Sequence, residues 1–282
     1  ERRRQGMSGG IAYDNWVRSA ATALNATGTS NVIGAIANLR TAQLSDVWGS
    51  SNNTGGLVQL VAFWNDNRPL SAMGLLDFRF TTLSNVRFRF GYLNTAGANV
   101  YFDTIVRSPQ AYPDGFLRHD MLILPTPVTA RGAFIDISAV SGGLGAFSIG
   151  RMWAGPFWRP PSGIKRLWRS GILDPGQMNY SRGRQGYESL EQRARTLEFR
   201  SSHLPMTSVI GSGDNSEMDL QQLVMRIGAT SHVWVTPRLS PTHAMHRLGI
   251  YGHLLPQGGE VLSLDHSGGD YVTASMRFAE LM

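Results

Sequence analysis

Seven histidines and the segment LDHSGGDY at 264–271 carry the residue types from which catalytic and metal sites are built. Asp265, His266 and Ser267 include the types of a hydrolytic triad, but neighbours along one hairpin point to alternate faces and do not converge. His243 and His246 follow a proline, with no carboxylate beside them in sequence and no HEXXH pattern. We interpret both as surface loop residues, and we predict no catalytic site and no metal site.

Phosphate, cofactor and calcium motifs are equally absent from the sequence. The segment GGLGAFSIG at 142–150 carries Ser148 at the third glycine position of the dinucleotide fingerprint, and no βαβ pattern surrounds it. The sequence contains no Walker motif, no DXDXDG calcium loop and no nominated pair of carboxylates. We therefore predict a protein that is not an enzyme and that needs no cofactor.

Residues 151–200 carry the charge imbalance of the chain. This stretch has nine arginines and Lys165 against four acidic residues, a balance of +6, which equals the net charge of the whole chain. Arginine and aromatic side chains could follow a phosphate backbone and stack on bases, but they also anchor protein interfaces. We favour a subunit interface over nucleic-acid-specific binding, with Trp158 and Trp168 as buried anchors. The candidate interface residues are Trp153, Trp158, Arg159, Trp168, Arg169, Arg182 and Arg184.

Composition and patterning favour a mainly β protein. Only 16% of residues are charged and 32 of 282 are glycine, which suits short strands and tight turns. In VRFRF, Val86, Phe88 and Phe90 share one face and the two arginines share the other, as in a half-buried strand. The chain has no cysteine, and no apolar run reaches the ~18 residues of a membrane span. Stability must therefore come from packing or assembly.

The change in residue pattern near residue 156 predicts two β-rich domains. Residues 1–30 form an extension and opening segment, in which Met7 is interpreted as the initiator and no signal peptide is recognised. A β-sandwich covers 31–155, a stiff proline-rich linker covers 156–170, and a second β domain covers 171–282. The second domain has one helix at 216–227, predicted from the apolar spacing of Leu220, Leu223, Val224 and Ile227.

Three segments carry a resemblance to a known family: IANLRTAQLSDVWGS (36–50), FIDIS (134–138) and SIGRMWAGPFWRP (148–160). Their order resembles the galactose-binding-like (discoidin-type, jelly-roll) β-sandwich at the front of bacteriophage tail-tip proteins of long-tailed, siphovirus-like phages. The second half, through RTLEFRSSHL, HRLGIYGHL and TASMRFAEL, is similar to the sandwich or split-barrel units of tail tubes and distal-tail rings. The cysteine bridge that closes the module in animal relatives is lacking here, so the ligand-binding loops of those relatives are not carried over.

The resemblance implies a structural component of the virion, assembled in the host cytoplasm. It implies a distal-tail or baseplate subunit that forms a trimeric or hexameric ring between the tail tube and the tip hub. Its expected partners are copies of itself, the tail tube, the tip hub and the tape measure. The alternative is a glycan-binding adhesion module that contacts the host surface, with Trp48, Trp64 and Tyr92 as candidate sugar-stacking residues.

Overall fold

The computed structural model describes residues 8–80, 84–94, 97–103, 119–160, 166–174, 177–180, 186–189, 193–210, 218–240, 242–266 and 269–281. Within these ranges the fold is mainly β, with 61% strand and 13% helix in two antiparallel sheets and few helices, as the composition predicts. The chain forms two compact units. The first unit comprises Ala12–Phe157 and Ser240–Arg247, and the second comprises Glu1–Ile11, Trp158–Leu239 and Leu248–Met282.

The first unit contains an eight-stranded sheet of order β3-β4-β9-β5-β8-β6-β7, with β2 paired to β5. Its strands are β2 (Ala23–Thr27), β3 (Val32–Ile33), β4 (Trp48–Asn53), β5 (Leu57–Phe80), β6 (Ser84–Asn94), β7 (Gly97–Asp103), β8 (His119–Ala139) and β9 (Gly145–Gly155). Short 3-10 turns lie at Trp16–Arg18 and Ile36–Arg40.

Strand β5 is one continuous strand of 24 residues, where the sequence indicates two strands at 57–64 and 70–81. Its pairing with β8 changes register between Phe63 and Arg68 and again between Leu70 and Ala72. Such irregularities bend a strand and raise its twist. Leu60 before the breaks and Leu75 after them therefore reach the same buried core, as a β-sandwich requires.

Strand β6 confirms the period-two pattern of its sequence. Val86, Phe88 and Phe90 are fully buried, whereas Arg87 and Arg89 between them are partly exposed. Arg89 Nη2 lies 2.7 Å from Asp136 Oδ1 on the neighbouring β8. The guanidinium also lies 5.3 Å from the centre of the Phe134 ring, so the polar face of this strand is ordered by its neighbours.

Residues 1–30, expected to form an N-terminal extension and opening segment, contribute two strands to the sheets within their described part, residues 8–30. Strand β1 (Ser8–Ala12) joins the sheet of the second unit, and β2 pairs with β5 in the first. Between them, the Asn15 side chain donates to the Met152 carbonyl at 2.8 Å and accepts from the Ala154 amide at 3.1 Å. Because Asn15 is buried, these bonds fix the opening segment of the first unit to β9.

The second unit contains the other sheet, of order β10-β1-β15-β16-β18-β14-β11, with β17 paired to β18. Its strands are β10 (Phe157–Trp158), β11 (Arg166–Leu173), β14 (Ala194–Pro205), β15 (Val233–Arg238), β16 (Ile250–Leu254), β17 (Ser263–His266) and β18 (Tyr271–Glu280). Strands β12 (Gln177–Tyr180) and β13 (Gly186–Ser189) form a separate pair. The predicted linker 156–170 thus contributes β10 and the start of β11.

The described residues include three helices where the sequence predicts one: α1 (Met206–Ile210), α2 (Leu220–Ile227) and α3 (Thr242–Leu248). The predicted helix is α2, and its four apolar residues are buried as expected. It begins at Leu220 and not at 216, because Asp219 is the N-cap and accepts from the Gln222 amide at 2.7 Å. Ser216, the expected first residue of the helix, lies outside the described residues.

We expect Asp219→Ala to lower the free energy of unfolding of the second unit by about 1 kcal/mol, because the amides of the first turn lose their side-chain acceptor. Asp219→Ser is the matched control, since a serine hydroxyl can accept the same bond. Urea denaturation followed by circular dichroism measures both variants. Equal losses in the two variants would show that the cap contributes nothing.

Candidate functional site

The triad residue types of 264–271 are not brought together. Asp265 and His266 are both exposed on β17, and they pair with successive residues, Thr273 and Val272, of β18. Their side chains therefore point to opposite faces of the sheet. Ser267 lies outside the described residues. Among the described residues, no group of three or more His, Cys, Asp or Glu side chains could hold a metal ion.

His246 corrects the sequence interpretation, because it is a buried helix residue and not a surface loop residue. It lies on α3, within the segment Ser240–Arg247 of the first unit, and is 1% exposed. Its Nε2 lies 3.2 Å from the Met121 amide nitrogen and 3.1 Å from the Met121 carbonyl oxygen on β8. The same atom lies 3.5 Å from Asp120 Oδ1, and Asp120 is also buried. The buried His246 thus lies beside the Asp120 carboxylate, which is distant from it in sequence.

Two of the three candidate sugar-stacking residues belong to the core of the first unit. Trp48 is 2% exposed and packs edge-on against Phe147, with ring centres 5.7 Å apart. Trp64 is 3% exposed, and its indole Nε1 donates to the Ala130 carbonyl at 2.7 Å. A ring without an accessible face cannot stack on a sugar, so neither tryptophan can serve in this role. The side chain of Tyr92 lies outside the described residues.

The candidate interface residues are separated by the fold. Trp153 is fully buried within the first unit, which leaves it no surface for another subunit. In the second unit, Trp158 and Trp168 lie on β10 and β11, the opposite edge strands of one sheet. Trp158 is 8% exposed and donates to the Met218 carbonyl at 3.2 Å. Trp168 is partly exposed and packs on Phe199, with ring centres 4.9 Å apart.

Two of the four candidate arginines are described, and both are exposed. Arg159 and Arg169 are exposed, and Arg169 lies opposite Glu198 of β14. Partial burial lowers the pKa of the Arg159 guanidinium from its usual value. Arg182 and Arg184 lie outside the described residues. Among the described candidate residues, Arg159 and the β11 residues Trp168 and Arg169 are thus at least partly open to a partner.

Strand β11 also exposes apolar side chains. Ile172 is 71% exposed and Leu173 is 42% exposed at its C-terminal end. Three more large side chains of the second unit are exposed: Ile210 at 53%, Met225 at 80% and Tyr271 at 48%. Single exposed apolar residues are normal, but adjacent ones on an edge strand are a candidate contact surface.

One end of the first unit is formed by three turn segments and the strand ends beside them, which we call the loop end: residues 28–33, 50–57 and 140–144. The buried Asn53 accepts from both the amide and the hydroxyl of Ser30, at 3.1 and 2.9 Å. Asn31, with a positive φ of 48°, donates to the Asn52 carbonyl at 2.9 Å. The loop end exposes Asn31, Ser51, Asn52 and Thr54 together with Val32, Ile33, Leu57 and Val140. Sequence reasoning missed it because its signals are ordinary turn residues.

No described helix is long and apolar enough to cross a membrane.

No protein family and no curated protein matches the sequence. Solved structures that resemble part of the chain include a GH29 fucosidase of Ruminococcus gnavus in complex with fucose, at 8% identity over 50% of this chain and 26% of that chain, with a TM-score of 0.37. Chitosan-binding module 1 from a chitosanase/glucanase of Paenibacillus sp. IK-5 matches at 9% identity over 51% of this chain and 100% of the module, with a TM-score of 0.36. The enzymatically active domain of tailspike protein 4 of bacteriophage CBA120 matches at 19% identity over 48% of this chain and 19% of that chain, with a TM-score of 0.29.

This chain thus spans about a quarter of the length of the fucosidase and about a fifth of that of the tailspike chain. The neighbours include a carbohydrate-binding module and a phage tailspike domain, but the likeness is weak. With TM-scores of 0.37 and below, these similarities carry no argument about what this chain binds, catalyses or assembles with.

Proposed function

We propose that this protein is a non-catalytic structural subunit of a bacteriophage tail tip, which assembles with copies of itself into a ring between the tail tube and the tip hub. Its partners are the tail tube, the tip hub and the tape measure, and its location is the virion. The proposal starts from the three sequence segments that resemble the front module of tail-tip proteins.

The positions of these segments in the sheet support the proposal. Residues 36–50 end in β4, 134–138 lie in β8, and 148–155 lie in β9. Strand β4 pairs with β9, and both β8 and β9 pair with β5. The segments that carry the resemblance thus lie in one sheet of the first unit, as a single module requires.

The observation that carries the assembly role is the adjacent pair of exposed apolar side chains at the end of the edge strand β11, Ile172 at 71% and Leu173 at 42% exposed. In a chain without cysteine, stability rests on packing, so leaving such side chains in water costs free energy. Contacts between subunits would bury them and so offset that cost.

Antibody labelling of virions tests the location. Gold-labelled antibodies against the purified protein should bind particles of the encoding phage at the tail end away from the head. Label along the whole tube, or no label on intact and detergent-opened particles, would contradict the proposal. Antibodies against the major tail-tube protein, which should label the shaft, serve as the control.

A second candidate function, glycan binding by the first unit, is favoured by the loop end. Its exposed amides and hydroxyls are the groups that bind sugar hydroxyls, and its hydrogen bonds order them before a ligand arrives. Binding of the intact protein to a glycan array, lost in Asn52→Ala, would support this role. Asn67, an exposed asparagine of β5 outside the loop end, offers Asn67→Ala as the matched control. Because this test uses only the loops of the first unit, its outcome is independent of ring assembly.

A further inference from the structure

The second unit ends in an edge strand that lacks the usual protection against pairing. All eight residues of β11 pair with β14 in continuous register, from Arg166 opposite Ser201 to Leu173 opposite Ala194. Among the described strands, none pairs with the other side of β11. Edge strands are usually protected by short length, prolines, bulges or charged side chains; β11 has none of the first three, and its only charged residues are Arg166 and Arg169. The opposite edge of the sheet, β10, is only two residues long.

We propose that β11 pairs antiparallel with β11 of a second copy, around a two-fold axis at Ser170. In such a pair, directly opposite residues share a face of the sheet and their numbers sum to 340. Trp168 then lies opposite Ile172 of the second copy, an aromatic and β-branched pair of the kind that stabilises sheets. The symmetry repeats this pair on both sides of the axis.

The flanking positions are also complementary in type. Leu167 takes the register position opposite Leu173, and Arg166 takes the register position opposite Asp174. Asp174 accepts from Arg193 of its own chain at 2.7 Å through Oδ2. A carboxylate has acceptor sites for a further donor, so this ion pair is compatible with the contact.

Neighbouring registers are less favourable. An axis at Arg169 places that arginine opposite itself, and like charges directly opposite destabilise a sheet. An axis at Gly171 places Trp168 opposite Asp174 and leaves the aromatic ring without an apolar partner. Of these three registers, only the axis at Ser170 places both exposed apolar residues, Ile172 and Leu173, opposite apolar residue types.

This inference rests on the proposed function, since it names the surface through which copies of the subunit join. It also explains why the candidate interface residues Trp168 and Arg169 lie on an open strand while Trp153 is buried. A ring built with this contact contains an even number of copies, which among the two expected ring sizes selects the hexamer.

Cysteine cross-linking tests the register directly, because the chain has no cysteine of its own. At the two-fold position the Cβ atoms of opposite residues lie about 4.5–5.5 Å apart, close to the separation that a disulfide requires. Mild oxidation of full-length Ser170→Cys should therefore give a covalent dimer on a non-reducing gel. Ser51→Cys, in an exposed loop of the first unit, is the control for random collision.

A second variant tests the contact without any new covalent bond. Ile172→Asp replaces an exposed side chain, so the fold should be retained in the circular dichroism spectrum, whereas self-association should weaken at least tenfold.

Cross-linking of Ser170→Cys no faster than that of Ser51→Cys would overturn the inference. If the protein then still forms a salt-stable oligomer, the β11 contact is wrong and the proposed function stands. A cross-linked dimer with no larger assembly supports the contact and contradicts the ring.

Discussion

Trp64→Ala should destabilise the first unit by about 3–5 kcal/mol, the usual cost of removing a large aromatic side chain from a packed core. Trp64 is 3% exposed and lies in the same cluster as Leu60, Leu75 and Phe88. The substitution removes the indole, leaves a cavity and takes the donor away from the Ala130 carbonyl. Urea denaturation followed by far-ultraviolet circular dichroism measures the change in the transition of the first unit.

Trp64→Phe is the matched control, because it keeps most of the apolar volume and removes only the indole donor. We expect a smaller loss of about 1–2 kcal/mol, which separates packing from the hydrogen bond. A Trp64→Ala variant with an unchanged unfolding midpoint but weaker glycan binding would contradict the burial, and it would restore the ring as a sugar platform.

His246→Ala should cost about 3–5 kcal/mol, which is large for a residue on a helix of seven residues. The imidazole is 1% exposed and lies within hydrogen-bond distance of both backbone polar atoms of Met121. In either tautomer Nε2 makes only one of these two bonds, so removal of the ring loses one hydrogen bond, at about 1–3 kcal/mol, and the cavity that it leaves supplies the rest of the loss. The unfolding midpoint should fall, and amide exchange of Met121 should speed up.

His253→Ala is the control, since this histidine lies on β16 and is only partly buried. Its replacement should change the free energy of unfolding by less than about 1 kcal/mol. If both variants behave alike, α3 does not belong to the packed first unit, and the correction to the sequence interpretation of His246 fails.

The sequence predicts best those elements whose burial follows a simple period. The alternation in β6 and the i, i+3, i+4, i+7 spacing in α2 are confirmed by burial. The sequence pattern does not predict helix α3, and it places His243 and His246 in a surface loop. Seven residues after a proline are too few to establish a helical period, and the contact that orders His246 lies 125 residues away. Local patterns carry no information about such a partner.

The sequence identifies the residue types of the candidate sites but not which of these residues are buried and which are exposed. Trp48, Trp64 and Trp153 are candidates because aromatic side chains form sugar platforms and interface anchors, but the same property makes them core residues. Which use prevails depends on whether the strand face is covered, and that depends on pairings between distant segments. The exposed side chains of β11 follow from its place at the end of a sheet, which no spacing in the sequence reveals.

The mass of the purified full-length protein in solution, measured by light scattering at low and high salt, tests the central claim most directly. The account predicts a discrete ring-sized oligomer at both salt concentrations, because the contacts proposed for assembly are apolar side chains and a β11 strand pair, which salt screens little. A monomer at both concentrations, across the micromolar range, would contradict self-assembly through the second unit and would make glycan binding by the loop end the leading function.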